Sequence, residues 1–225
     1  LLRQYALEKM NQADEEDRKA LYTRFSVYYI HRLLERGMDF WGTRMIQARD
    51  ETRSEIENLR AAIDWACQHW EEGETRRALI SWMYFYVCHG WHEGKDVFRD
   101  IARLRNQALL ARGTPDPAND PVVLASRVHQ ALFLTELGQI EESEAVSRDC
   151  MKGLIELGMK EELTECLNNL GVNASFRGEY EESCEWLEKA VLVGRECGHL
   201  VWSTCLLWLG HTYFLLGEYE QGILT

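Results

Sequence analysis

Proline is nearly missing. Of 225 residues only Pro115, Pro117 and Pro121 are prolines, and all three crowd into "GTPDPANDP". Proline removes a helix hydrogen bond and clashes with the preceding turn, so its scarcity elsewhere leaves helix uninterrupted and marks this stretch as the one clear break. No run of about 18 apolar residues occurs, and the opening "LLRQYALEKM" lacks the basic segment, apolar core and small-residue cleavage site of a signal peptide. Neither a membrane span nor secretion is supported, and a cytoplasmic location is expected. The seven cysteines include no Cys-x-x-Cys pair, and an odd count without a secretory signal argues against both a disulfide framework and a zinc ribbon. They read as small core residues. Basic side chains are outnumbered, 25 against 37, and residues 141–190 hold 13 acidic and 5 basic ones. Phosphates are repelled by such a surface, which excludes nucleic acid and an anionic membrane as partners of this region. The balance of 46% hydrophobic and 28% charged residues is otherwise that of a globular chain with a sizeable core.

What is present is a repeat. Gly171 to Gly210, Gly178 to Gly217 and Tyr180 to Tyr219 are each 39 residues apart, while Gly138 to Gly178 and Gly158 to Gly198 are 40 apart. A period near 40 with glycine between two helical stretches predicts a helix-turn-helix solenoid. Each first helix carries Leu170, Gly171 and Ala174, or Leu209, Gly210 and Tyr213; each second helix carries Ser183, Leu187 and Ala190, or Gly222. Small residues belong where paired helices cross, and large ones fill between units. The pattern resembles the tetratricopeptide repeat, with units longer than the usual length of about 34 residues. Units are expected at about 76–112, 124–160, 164–202 and 203–225, the first having Trp82 and Tyr86 before the Gly90 turn and Gly94, Phe98 and Ile101 after it. The last, "FLLGEYEQGILT", stops inside its second helix, so the chain is expected to be cut there and to self-associate through the uncovered end.

Residues 19–72 read as a non-repeating helical bundle after a short segment at 1–18. In "SEIENLRAAIDWACQHW" the residues Ile56, Leu59, Ala62, Ile63 and Ala66 form one apolar stripe, and Ser54 with Glu57 suits a capping box. "LYTRFSVYYIHRLLERG" is apolar almost all round, which predicts a helix buried between others. The succession of residues 2–10, 55–66 and 84–98 resembles the region after the winged-helix module of bacterial STAND ATPases, regulators with an NB-ARC-type nucleotide switch. In that family a segment like "LRQYALEKL" closes the winged helix, and one like "ENLRAALAWA" precedes the sensor repeats. The resemblance implies a sensor arm in transcriptional or signalling regulation. The family's ATP-binding motifs lie upstream and no G-x-x-x-x-G-K-[ST] occurs here, so no cofactor is expected in this region, with ATP or ADP only in a preceding module.

Three places combine residue types that could serve chemistry or packing. Cys88, His89, His92 and Glu93 lie within six residues but match no metalloprotease spacing, and Gly90 breaks the one-face geometry that ligands need. Cys197, His199 and Cys205 straddle a helix-loop-helix junction at no standard ligand spacing. The pairs Glu141-Glu142, Glu161-Glu162 and Glu181-Glu182 suit the positive ends of helix dipoles better than general acid-base work. No catalytic or metal residues are therefore expected, and the chain is not read as an enzyme. The expected binding surface is the inner groove, lined by Arg77, Tyr84, His129, Leu132, Asn168, Asn169, Val172, Phe176, Trp208, His211 and Phe214. Its aromatics and amides suit a protein or peptide segment or a small-molecule inducer. For Trp208 and Phe214, packing against a following repeat is an equal alternative.

The sequence thus predicts an all-α, right-handed helical-hairpin solenoid of tetratricopeptide-like repeats preceded by a small helical bundle. Its expected function is recognition for an ATP-dependent switch, with its own nucleotide-binding module as a second partner; the alternative is a constitutive scaffold with no switch.

Overall fold

A computed structural model describes residues 14–70, 72–198 and 201–224, and among these it holds eleven α-helices and no strand. Most of the expected winged-helix segment, residues 1–13, lies outside the described residues. The chain forms two compact units, Leu1–His89 and Gly90–Thr225, whereas the sequence placed its boundaries after residues 18 and 72.

In the first unit α1 spans Glu15–Arg36, α2 Met45–Ser54, α3 Ile56–His69 and α4 Glu72–His89. Asp14 caps α1 by accepting the Asp17 backbone N–H at 2.8 Å, and Glu15, Glu16 and Asp17 set carboxylates at the positive end of its dipole. The expectation that this helix is buried between others holds along one stripe. It buries only Ser26, Ile30, Leu33 and Arg36, because α3 and α4 cover a single stripe, and Leu21 and Tyr28 stay exposed. The capping box also fails to form. Ser54 still belongs to α2 and donates back to the Glu51 carbonyl at 2.7 Å, leaving Glu55 as the uncapped start of α3. Glu55 is used otherwise: buried Arg36 donates to it at 2.8 Å and Arg32 reaches it at 3.3 Å, tying α1 to the α2–α3 junction. The stripe itself is as expected, with Leu59, Ala62, Ile63 and Ala66 buried.

Helix α4 packs on α1 and on the 3-10 turn Gly37–Trp41 through a core of Trp82, Phe85 and Tyr86, the Trp82 and Phe85 rings stacked at 5.1 Å. Tyr84 is buried too, edge-on to Trp41 at 5.0 Å.

The second unit contains α5 (Trp91–Ala111), α6 (Pro121–Glu136), α7 (Ile140–Glu156), α8 (Lys160–Arg177), α9 (Tyr180–Cys197), α10 (Val201–Leu216) and α11 (Tyr219–Leu224). Each helix packs on the next, and α6 also packs on α8 and α8 on α10, so these three form an inner layer of a tetratricopeptide-like helical repeat. The break at the prolines lies where the sequence put it, between α5 and α6. Asp120 fixes it twice. Its carboxylate caps α6 by accepting from Val122 and Val123 N–H at 3.0 and 3.2 Å, and it takes two hydrogen bonds from Arg105 of α5 at 3.0 and 2.9 Å. Both side chains of that pair are buried.

The repeat glycines act as the period implied. Gly178 closes α8 with φ +79°, a left-handed conformation that costs glycine nothing, so the Glu179 N–H can return to the Ala174 carbonyl at 3.0 Å. The same bond recurs from Gln139 to Leu134 and from Glu218 to Tyr213, each at 2.9 Å. Gly171 answers a different need, since a methyl there would stand 2.5 Å from Leu187 Cγ and 3.3 Å from the Ser183 carbonyl oxygen.

Between hairpins the seam carries a buried polar node. Asn173 Nδ2 on α8 donates to Ser143 Oγ on α7 at 3.0 Å, Thr135 Oγ1 on α6 donates to Asn173 Oδ1 at 2.9 Å, and Ser143 Oγ donates to the Ala131 carbonyl at 2.9 Å. One repeat later Ser183 and Thr212 face each other at 3.2 Å.

Replacing Asp120 by alanine removes a helix cap and two hydrogen bonds from the buried Arg105 guanidinium, so Asp120→Ala is expected to cost about 2–4 kcal/mol of unfolding free energy. Asp120→Asn keeps the cap and should recover about 1 kcal/mol of that loss in a chemical denaturation series.

Candidate functional site

Residues one period apart occupy equivalent places on the inner helices. His129, Asn169 and Trp208 form one row, Leu132, Val172 and His211 a second, and Glu136, Phe176 and Leu215 a third. The expected groove is open along only part of these rows. His129, Asn168, Asn169 and Val172 are buried and Leu132 is half-buried, because α6 and α8 touch directly along their length. Asn169 Nδ2 donates across that contact to the Val128 carbonyl at 3.3 Å, and His129 Nδ1 stands 2.9 Å from a Glu165 carboxylate oxygen, its ring edge-on to Phe98 at 5.1 Å. The reading of Asn168 and Asn169 as open groove residues is therefore corrected; they fill the space between inner helices. Arg77 and Tyr84 belong to α4 of the first unit, where Arg77 is exposed and Tyr84 is sealed under Trp41.

The structure does bring Phe176, Trp208 and His211 together. Phe176 stays 56% exposed although inner helices flank it on both sides, and its ring meets Trp208 edge-on at 5.6 Å with an interplanar angle of 83°. Trp208, half-buried, meets exposed His211 at 5.7 Å and 85°. Phe214 meets Tyr219 at 5.3 Å and lines a cleft of about 510 Å³ with His211 of this trio and with Leu207, Gly210 and Gly222.

Beside Phe176 in the third row, Glu136 is exposed and makes no ion pair among the described residues. Water reaches its carboxylate, yet the surrounding protein removes enough solvent to raise its pKa above the usual carboxylate range. Spacing alone did not single it out. The neighbouring cations are already engaged on the outer side: Arg177 pairs with Glu144 and Glu179, Arg148 bridges Glu144 and Glu182 at 2.7 and 3.2 Å, and Arg127 pairs with Asp149 at 2.6 Å. A hydrogen bond from Trp186 Nε1, then Arg177 and Arg148, hold the Glu182 carboxyl below its ordinary range.

Among the described residues no three His, Cys, Asp or Glu side chains converge as a metal cluster would require, and His199 lies outside them. Burial pushes the Cys150 and Cys184 thiols up to about 11 and Cys205 to about 12, and raises Cys166 further. A thiol so far from ionising is a packing group rather than a nucleophile.

Residues 163–196, spanning most of α8 and α9, match the tetratricopeptide-repeat family model. This hairpin is similar to a tetratricopeptide repeat. No curated protein matches the chain in sequence. Among solved structures it is similar to BtubC (BKLC) from P. vanneervenii, with a TM-score of 0.56 and 15% identity over 93% of this chain and 87% of that one. At that identity the likeness shows the fold alone.

Two measurements separate the structural residues from the surface ones. Asn173→Ala removes the two buried hydrogen bonds that tie α8 to Ser143 and Thr135 and should cost about 1–3 kcal/mol in a thermal or chemical melt, whereas Phe176→Ala, a change on an exposed ring, should stay within about 0.5 kcal/mol of the parent. At pH 8 a thiol reagent should modify only half-buried Cys88 and Cys197 in the folded protein and all seven cysteines after denaturation.

Proposed function

We propose that the second unit recognises proteins through the open turns of its inner helices. The observation that carries this reading is the exposed Phe176 between flanking helices, joined to Trp208 and His211. Helical surfaces that leave aromatic rings uncovered beside polar groups are suited to a partner, because the rings bring large contact area with few rotatable bonds. A repeat similar to the tetratricopeptide kind suits a protein-interaction scaffold.

The finer reading is that of a sensor arm in a bacterial STAND-type regulator of transcription or signalling. It rests on the order of the segments at 2–10, 55–66 and 84–98, and in it a partner or inducer biases a nucleotide module by binding its two states unequally. The repeat match favours the plainer scaffold with no switch. A phosphate loop encoded ahead of residue 1 decides for the first; a reading frame without one decides for the second. In either reading the region acts in the cytoplasm, performs no catalysis and holds no cofactor of its own. The exposed side chains Leu207, Phe214, Ile223 and Leu224 on α10 and α11 are the place for self-association.

Affinity capture followed by direct binding of each identified partner tests the surface: Phe176→Ala with His211→Ala should weaken binding at least tenfold while the melt is unchanged, and partners held equally well by this variant would move the surface elsewhere. A calorimetric titration with Mg-ATP should release no heat beyond dilution. Micromolar affinity would overturn the reading that this region carries no nucleotide site.

A further inference from the structure

The inner helices α6, α8 and α10 end on one edge of the second unit, at the turns of Gly138, Gly178 and Gly217. The outer helices begin at that same edge. It therefore gathers Glu136, Glu141, Glu142, Glu179, Glu181 and Glu218, all exposed, while its one arginine, Arg177, is held by Glu144 and Glu179. Lys95 of α5 joins the same edge, donating to Gln139 Oε1 at 3.1 Å, so the uncovered aromatic surface borders a rim on which carboxylates outnumber cations.

The rings repeat the message. Trp186 carries Arg148 and Lys189 over its face at 5.6 and 4.7 Å, and Trp202 carries Arg195 at 5.3 Å. No lysine or arginine among the described residues stands over Phe176 or Trp208. Two rings near a right angle form a corner whose electron-rich faces attract a cation, and the adjoining carboxylate of Glu136 would neutralise it. An anionic partner meets a net repulsion from the rim, and a neutral one leaves Glu136 desolvated without compensation.

Resting on the recognition reading above, we propose that the segment bound at Phe176, Trp208 and His211 is a basic peptide, with an apolar side chain against the rings and a lysine or arginine placed between them and Glu136.

Three fluorescein-labelled dodecapeptides with leucine and phenylalanine at the same positions, separated by lysine, serine or glutamate, are titrated into the full chain by anisotropy. The lysine peptide should bind at least tenfold more tightly than the other two and weaken as sodium chloride is raised. Glu136→Gln should cost it at least threefold and Phe176→Ala at least tenfold, with both variants melting like the parent. Equal or tighter binding of the serine or glutamate peptide, lost in Phe176→Ala, overturns the basic preference and leaves the recognition surface standing. Lysine-peptide binding that ignores both substitutions shows diffuse attraction to the acidic rim and overturns the site. If none of the three binds, the basic-peptide assignment fails, and the recognition reading then stands or falls on the captured partners alone.

Discussion

The second unit depends on the alignment set by Ser143, Thr135 and Asn173. Apolar seams between helices tolerate sliding, since one leucine contact is much like the next, but a buried amide left without a partner costs about 1–3 kcal/mol. Asn173 finds both a donor and an acceptor only where α8 meets α6 and α7 in this one alignment. With that position set, Gly171 lies under Leu187, Asn169 meets the Val128 carbonyl, and the last turn of α8 carries Phe176 to the surface beside Glu136. The exposed site is thus a consequence of a buried one.

The backbone plan was largely legible because it rests on residues whose conformational needs are local. Glycines at a period of 39 or 40 announce left-handed helix ends, and three clustered prolines announce the long connection between α5 and α6. What could not be read depends on distant partners. Asp120 looks like a turn residue, and nothing near it in sequence points to Arg105 as the side chain that anchors it. Asn168 and Asn169 carry the polarity of a groove, but the direct contact of α6 with α8 closes over them, and that contact is a property of how tightly successive hairpins stack. Repeat phase set Phe176, Trp208 and His211 among the residues of the inner helices, and the structure joins their rings; it overlooked Glu136, in the same row as Phe176, because a lone carboxylate near a turn is ordinary until its lack of a cation is seen. In the first unit the apolar circumference of α1 suggested a helix buried between others, whereas the elements packed on it bury one stripe and leave Leu21 and Tyr28 exposed.

Charge is distributed between the layers with different effects. On the outer side Glu144, Arg148, Arg177, Glu179 and Glu182 satisfy one another and link α7, α8 and α9, a network whose exposed pairs each contribute little. The cations that the inner helices supply, Arg127 and Arg177, are taken up by Asp149, Glu144 and Glu179, so the rings and the Glu136 carboxylate remain available. The buried thiols complete the contrast, since burial that makes them good packing groups also takes away their chemistry.

Ser143 and Ser183 are the same residue one unit apart, and each faces the first helix of the following hairpin, through Asn173 in one case and Thr212 in the other. Joints of one design are interchangeable. A gene duplication or deletion of a single 40-residue unit, breaking at Gly138 and resuming after Gly178, would bring together surfaces already shaped to fit. The length of such an array is therefore free to vary over evolutionary time without any new interface having to be invented.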